Sequence, residues 1–220
     1  MSATAGVEVP DQIRTLTERY TRTERFLTLL VAAVAVIAVF GAFVVLPYFA
    51  ALGLSLAAIA LVRVPLLETE GELHLRTDAD PDAVRNEFAS ALPPALPFQW
   101  GGAETVRSTA DGGVYEFSYL FGRRSITMAV TVRSGPETRS AGADCEIDVT
   151  AGGKPWGRYR VSVEEDGENT AVVVAFESTR RYALNRLTQL VAANRYQEEA
   201  YAAQGYTVVD RDRSLTLGRD

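Results

Sequence analysis

The sequence predicts an α+β protein, in which an N-terminal transmembrane helical hairpin precedes an antiparallel sheet covered by a long C-terminal helix. Three observations lead to this fold class. Residues 26–62 contain no charged side chain. Residues 113–177 alternate apolar and polar side chains over five successive stretches, which is the pattern of strands with one buried face. Residues 179–204 repeat apolar side chains at helical spacing and are followed by Gly205, a residue typical of helix ends.

The uncharged stretch is long enough for two membrane crossings, because one crossing takes about 20 apolar residues. Pro47 interrupts the stretch and would break a continuous helix. Two spans are therefore predicted, at roughly 24–45 and 49–66. The predicted organisation has three parts: an N-terminal cytoplasmic, partly helical segment at 1–25, a two-helix transmembrane hairpin at 26–67 and a soluble α+β domain at 68–220.

The arginines predict how the hairpin is oriented. The turn between the two spans has no charge, whereas arginines precede the first span and follow the second: Arg14, Arg19, Arg22, Arg25, Arg63 and Arg76. Cytoplasmic loops carry the excess of Lys and Arg. We therefore expect a cell-membrane protein with two spans and both termini in the cytoplasm.

Two features near the hairpin leave alternatives open. Residues 1–10 are expected to be disordered, and residues 11–25 to form a helix with Ile13, Leu16 and Tyr20 on one face. That helix would either lie on the membrane surface or extend into solvent. Small residues four apart, such as Ala38 and Ala42, serve either packing within the hairpin or a homo-oligomer seam.

Composition excludes several classes of function. The formal net charge is −6, and an acidic chain is a poor partner for nucleic acid. Cys145 is the only cysteine and His74 the only histidine, so neither a metal site nor a nucleophile–base pair is predicted. We expect no catalytic residue and no cofactor. Lys154 is the one lysine among 22 basic residues, and an acidic chain nearly without lysine resembles haloarchaeal proteins.

The domain after the hairpin has a readable order of elements. A strand is predicted at 72–77 and a helix at 81–92, with Asp80 as its N-cap and Pro81 in its first turn. Five antiparallel strands then follow. A last alternating stretch at 206–217 predicts one more strand or a short hairpin.

This order resembles the helix-grip fold of the START-like and polyketide-cyclase (SRPBCC) superfamily. Residues 73–84, LHLRTDADPDAV, are similar to the opening strand and first helix of that family. Pro93 to Pro97 leave little room for the family's second short helix, and residues 206–217 extend beyond its usual end. The resemblance implies a domain that holds a lipid, a sterol or another apolar molecule between helix and sheet, and a few members are enzymes.

If such a cavity exists, its wall is expected at the inward positions of strands and helix. These are Tyr115, Phe117, Tyr119, Met128, Tyr159, Phe176, Leu187 and Val191. The same residues would otherwise fill a solid core. The paired bases Arg123–Arg124 and Arg180–Arg181 would either meet anionic lipid headgroups or stay solvated.

Three functions remain open on these grounds. The first is a membrane-anchored domain that binds a small ligand or lipid and faces the cytoplasm. The second is a membrane-tethered interaction or scaffold protein with a solidly packed domain. The third is an enzyme of cyclase or hydrolase type, which would have to use Asp, Glu, Tyr or Arg as its acid and base.

Overall fold

The computed structural model describes residues 6–119, 123–136, 138, 142–178, 182–183 and 187–217. The paired bases Arg180 and Arg181, and residues 179 and 184–186 of the predicted C-terminal helix, lie outside this part of the chain.

A single long helix begins the chain. Helix α1 covers Asp11–Val45 and is about 52 Å long at 1.5 Å per residue. Its first turns bury one stripe of side chains, which includes Ile13, Leu16 and Tyr20. Beyond Phe26 its large apolar side chains are exposed. Of the described helices, only α1 is both long and apolar enough to cross a membrane.

Helix α2, Tyr48–Arg63, follows directly after Pro47. It is apolar but measures only about 24 Å, below the roughly 30 Å of a hydrocarbon core. The second span was expected to continue to residue 66. It ends earlier because strand β1 begins at Pro65, so that helix and strand are joined by Val64 alone.

The remaining elements form one α+β unit. In chain order they are β1 (Pro65–Thr77), α3 (Pro81–Phe88), α4 (Pro97–Gly101), β2 (Thr105–Thr109), β3 (Gly112–Tyr119), β4 (Arg124–Ser134), β5 (Cys145–Ala151), β6 (Lys154–Asp166), β7 (Asn169–Glu177), β8 (Tyr182–Ala183), α5 (Leu187–Ala202) and β9 (Thr207–Leu217).

The described strands form one antiparallel sheet in the order β2-β3-β4-β5-β6-β7-β1-β8, with β9 also paired to β1. The predicted α+β class and the meander from β3 to β7 are confirmed. The stretch at 206–217, left open between a strand and a hairpin, contains the single strand β9. It pairs with β1 from Leu67 to Arg76.

The helical cover of the sheet differs from the prediction. The C-terminal helix was expected at 179–204, over the sheet. The described helix α5 starts at Leu187, packs mainly on α1 and β9, and buries Ala192, Ala200 and Tyr201. The inner face of the sheet is covered by α3, α4 and the first turns of α1, whose Phe88, Trp100 and Ile13 join the core, and α5 adds Tyr201 to the same core.

Three further expectations need correction. Residues 6–10 were expected to be disordered, but the Val7 amide donates to the Val106 carbonyl at 3.0 Å and Val9 is buried. The helix at 11–25 does not extend freely into solvent, because its apolar stripe packs on α4 and α5. A second short helix does fit, since Pro97 opens α4 at its first position.

Candidate functional site

A cavity of about 180 Å³ lies between the inner face of the sheet and the three helices α1, α4 and α5. Strands β1, β6, β7 and β9 form one side of it. Its apolar and aromatic lining includes Tyr20, Leu73, Ala95, Pro97, Phe98, Trp156, Tyr159, Val174, Phe176, Leu190, Ala193 and Tyr201. Its polar lining includes Thr69, Glu72, Gln99, Gln189, Gln197, Arg211 and Asp212.

The alternation of side chains along β1 determines which of its residues form the floor of the cavity. Successive side chains of a strand point to opposite faces, so Thr69, Gly71 and Leu73 share the inner face of β1. Phe176 of β7 lies opposite Gly71 in the register. Strand β6 pairs with β7 on the side away from β1, and it carries Gly157. A Cβ atom at position 157 would lie only 2.8 Å from Cε2 of Phe176. Because residue 157 is a glycine, the Phe176 ring has room to occupy this position next to β6.

Aromatic rings form two opposing walls. On the sheet, the Phe176 ring centroid is 4.8 Å from that of Tyr159 and 6.1 Å from that of Trp156. On the helices, Tyr20 of α1 stacks on Phe98 of α4 at 4.6 Å. Such walls suit a flat or apolar ligand, because aromatic faces offer a large contact area at low cost in conformational entropy.

One buried polar atom beside this cavity has no hydrogen-bond partner. Thr69 is 2% exposed, and its Oγ1 accepts or donates no hydrogen bond among the residues that the structure describes. A buried hydroxyl without a partner costs roughly 1–3 kcal/mol. A ligand atom or an ordered water inside the cavity would satisfy it.

On the polar side of the cavity, Arg211 of β9 forms hydrogen bonds to α5. Its guanidinium donates to the Glu198 carboxylate at 2.6 Å and to the Asn194 carbonyl at 3.5 Å, both on α5. These bonds fasten β9 to the helix. The added strand thus closes the edge of the cavity that β1 would otherwise leave open.

The eight residues predicted for the cavity wall are placed in different ways. Tyr159 and Phe176 line the cavity. Tyr115 is fully buried and donates its hydroxyl to the Ala91 carbonyl at 2.9 Å. Met128 is a core residue and Phe117 packs against that core.

The other three predicted residues lie near the surface. Leu187 is half-buried in the first turn of α5. Tyr119 is 45% exposed and Val191 58% exposed, and neither lines the cavity. Contact of any of the eight with a ligand stays a prediction.

Sequence reasoning missed several wall residues that the pattern already contained. Thr69 and Gly71 continue the inward alternation of Leu73 and Leu75, but they lie upstream of the predicted start of the strand. Tyr20 was recognised as part of an apolar stripe, but its partner Phe98 lies in the proline-rich stretch that was expected to contain no helix.

The titratable groups with strongly shifted pKa values, Cys145, Tyr115 and Tyr206, do not line the cavity, although the Tyr206 ring packs on the lining residue Tyr201. Burial raises the pKa of the Cys145 thiol to about 12, and burial also raises the pKa of the Tyr115 hydroxyl. His74 is on the outer face of β1, opposite in parity to Leu73 and Leu75. In the described ranges, no group of three or more His, Cys, Asp or Glu is placed to hold a metal ion. The geometry therefore fits binding of an uncharged or weakly polar molecule.

No protein-family model matches the chain, and no curated protein matches it in sequence. Three solved structures are similar to part of it. The Mll3558 protein from Rhizobium loti has a TM-score of 0.41 and 16% identity, over 63% of this chain and 98% of its own. The ZhuI aromatase/cyclase from Streptomyces sp. R1128 has a TM-score of 0.36 and 16% identity, over 60% and 88%. The major latex-like protein 151 from Panax ginseng has a TM-score of 0.31 and 13% identity, over 62% and 97%.

These likenesses are distant. The haloarchaeal character of the composition stays a prediction. The function proposed below therefore rests on the cavity of this chain.

Proposed function

We propose that this chain is a membrane-anchored domain that binds a small, largely apolar ligand in the cavity between its sheet and its helices, on the cytoplasmic side. The observation that carries the proposal is the aromatic-walled cavity itself, beside which the buried Thr69 hydroxyl lies unpaired. A solid core would be expected to exclude or satisfy such a group.

The size of the cavity limits the ligand. An engineered protein cavity of about 150 Å³ is large enough for benzene. At about 180 Å³, the cavity described here takes a molecule of one ring with small substituents, or a short section of an acyl chain. We propose that the ligand carries one hydrogen-bonding oxygen or nitrogen that meets the Thr69 hydroxyl, while its apolar body lies between Phe176 and Phe98.

The anchor of the proposed function is the hairpin of α1 and α2. The apolar part of α1 is long enough to span. Helix α2 is shorter, so it would cross with local thinning of the bilayer or with the Arg63 side chain extended to the interface. The arginines on both sides of the hairpin place both termini in the cytoplasm. Protease added outside intact cells should then leave the domain uncut, and cleavage within it would contradict this orientation.

The ligand is tested first on the full chain, because α1 is part of the folded domain. Native mass spectrometry of the detergent-purified protein should show a retained small molecule after the micelle is stripped. Ala193→Leu fills the cavity from α5 and should abolish the adduct, whereas Val191→Leu, at an exposed position of the same helix, should keep it. An adduct that survives in both variants would place the molecule elsewhere.

The hydroxyl is tested with a matched pair of substitutions. Thr69→Val keeps the shape of the side chain and removes the unpaired oxygen, so ligand affinity should fall by about 5- to 10-fold while stability is unchanged or higher. Thr17 carries the other unpaired buried hydroxyl, and it packs against Gly101 outside the cavity. Thr17→Val should therefore leave affinity unchanged.

An empty, fully folded wild-type protein would contradict ligand binding. That result would favour the alternative function, a membrane-tethered scaffold whose domain docks a protein partner.

A further inference from the structure

The sheet has a well-defined anchor end, the end at which β1 starts at Pro65. Helix α2 stops at Arg63, so this end is joined to the hairpin through one residue. The antiparallel register then determines which connections lie there. Glu70 pairs with Glu177 at the end of β7, and Glu177 pairs with Arg158 near the start of β6.

The pairing of the remaining strands shows which other connections lie at the anchor end. Ala151 closes β5 opposite Lys154, and it also pairs with Met128 near the start of β4. Tyr119 at the end of β3 pairs with Arg124. The β5–β6 and β3–β4 connections therefore both lie at the anchor end.

The turns at the two ends of the sheet differ in charge, although β1 and β7 also bring Glu68, Glu70 and Glu177 to the anchor end, and the β4–β5 connection at the opposite end includes Arg139. At the anchor end, the connections 119–124 and 151–156 contain Arg123, Arg124 and Lys154 and no acidic residue. At the opposite end, the connections 78–82, 109–112 and 164–169 contain no Lys or Arg. Their acidic residues are Asp78, Asp80, Asp82, Asp111, Glu164, Glu165, Asp166 and Glu168. This separation orients the domain in the field of an anionic surface.

The bases at the anchor end are available for contact. Arg123, Arg124 and Lys154 are exposed, and none has an ion-pair partner among the described residues. In contrast, arginines further along the strands are paired, as Arg158 is with Asp148 at 2.8 Å. Two exposed apolar side chains, Tyr119 and Ile126, accompany the bases.

The β5–β6 and β3–β4 turns lie at the end of the sheet that is joined to the hairpin. From Tyr159, which lines the cavity, to Lys154 the strand β6 runs up to roughly 16 Å toward this end. Helix α2 is joined to β1 through Val64 alone, so this end of the sheet directly follows the hairpin.

We propose that Tyr119, Arg123, Arg124, Ile126 and Lys154 form an anchor-end rim that rests on the anionic headgroups of the bilayer. The three cations meet lipid phosphates, and the two apolar side chains enter the boundary between headgroups and acyl chains. This inference rests on the proposed membrane anchoring and is independent of ligand binding.

Lys154 provides a direct test because it is the only lysine of the chain. The full chain is placed in lipid nanodiscs of phosphatidylcholine, or of equal parts phosphatidylcholine and phosphatidylglycerol, and is treated with an uncharged amine-acetylating ester. Lys154 should react about fivefold more slowly in the anionic discs. High salt should remove the difference.

Glu168→Lys supplies the matched control, since it puts a second lysine into an exposed turn at the opposite end. The amine introduced at 168 should react equally fast in both kinds of disc. Arg123→Gln with Arg124→Gln should bring the rate at Lys154 in anionic discs back toward the phosphatidylcholine value.

Equal acetylation rates at Lys154 in both kinds of disc would contradict the proposal that the rim rests on anionic headgroups. Equal slowing of the lysines at 154 and 168 in the anionic discs would contradict it too. A chain that does not enter the discs at all would instead contradict the anchoring on which the rim rests.

Discussion

Tyr20 stacks on Phe98 with ring centroids 4.6 Å apart and an interplanar angle of 25°. Tyr20 belongs to α1, the helix that continues into the apolar stretch, and Phe98 belongs to the short helix α4 over the sheet. Both rings line the cavity. The helix that carries the apolar stretch is thus also a wall of the cavity, so a shift of α1 along its axis would change the space available to a ligand.

Tyr20→Ala should destabilise the domain by about 2–4 kcal/mol, because it removes a buried ring that joins α1 to the sheet cover. Thermal unfolding of the full chain in detergent, followed by circular dichroism, measures the change. Tyr48→Ala is the control, since Tyr48 is 64% exposed at the start of α2, and it should have little effect. Equal shifts for both variants would mean that α1 is not docked on the domain.

Gly101→Ala should separate α1 from α4. A Cβ at 101 would lie 2.5 Å from Thr17 Oγ1 and 2.9 Å from Ile13 Cγ2, and overpacking of this kind costs about 1–3 kcal/mol. Gly53→Ala is also a helical substitution but meets nothing within 4 Å, so it should be neutral or slightly stabilising. The unfolding midpoints of the two variants should therefore move apart. Two neutral substitutions would contradict the close packing of α1.

Tyr115→Phe should cost about 1–2 kcal/mol, because it leaves the buried Ala91 carbonyl without its donor. The hydrogen bond ties β3 to the segment between α3 and α4. Tyr119→Phe removes an equivalent hydroxyl from a half-exposed position on the same strand and should change stability by less than about 0.5 kcal/mol. Denaturant unfolding of both variants distinguishes a buried bond from a general effect of losing a hydroxyl.

Cys145 should be inert in the folded protein and reactive in the unfolded one. It is 3% exposed, and burial raises the pKa of its thiol to about 12. Since the folded state disfavours the thiolate, its contribution to stability is complete below the unfolded pKa of about 8.5. That contribution is lost as pH rises toward 12, at about 1.4 kcal/mol per pH unit.

The rate of thiol modification at pH 8, with and without denaturant, checks the first expectation. Unfolding curves of wild type and Cys145→Ala between pH 8 and pH 10 check the second, since only the wild type carries this contribution. Rapid modification of the native protein would show that the strand β5 is open to solvent.

The meander from β3 to β7 could be predicted because the alternation of apolar and polar side chains is visible in consecutive residues of each strand. Tyr115 and Val130 are buried at the parity that the sequence indicates. The limits of β1 could not be predicted in the same way. Its first residues, Pro65 and Leu67, continue an apolar run without a break in composition, so hydropathy alone assigns them to the preceding helix.

The candidate site was predicted only in part for a related reason. Tyr159 and Phe176 follow from alternation on long strands. Thr69 and Tyr20 do not, because each is a wall residue only through elements distant in sequence. An apolar stripe such as Ile13, Leu16 and Tyr20 shows that a helix buries one face, but it does not identify the element on which that face packs.

The sequence by itself therefore determined the elements whose signal is local: the uncharged stretch of α1 and α2, the five alternating strands and the capped start of α3 at Asp80. The tertiary structure alone decided that α1 is docked on the sheet cover, that β9 pairs with β1, and that a buried, unpaired hydroxyl of Thr69 lies beside a cavity. The physical reason is that periodicity reports which face of an element avoids water, whereas the partner of that face depends on contacts between residues far apart in the chain.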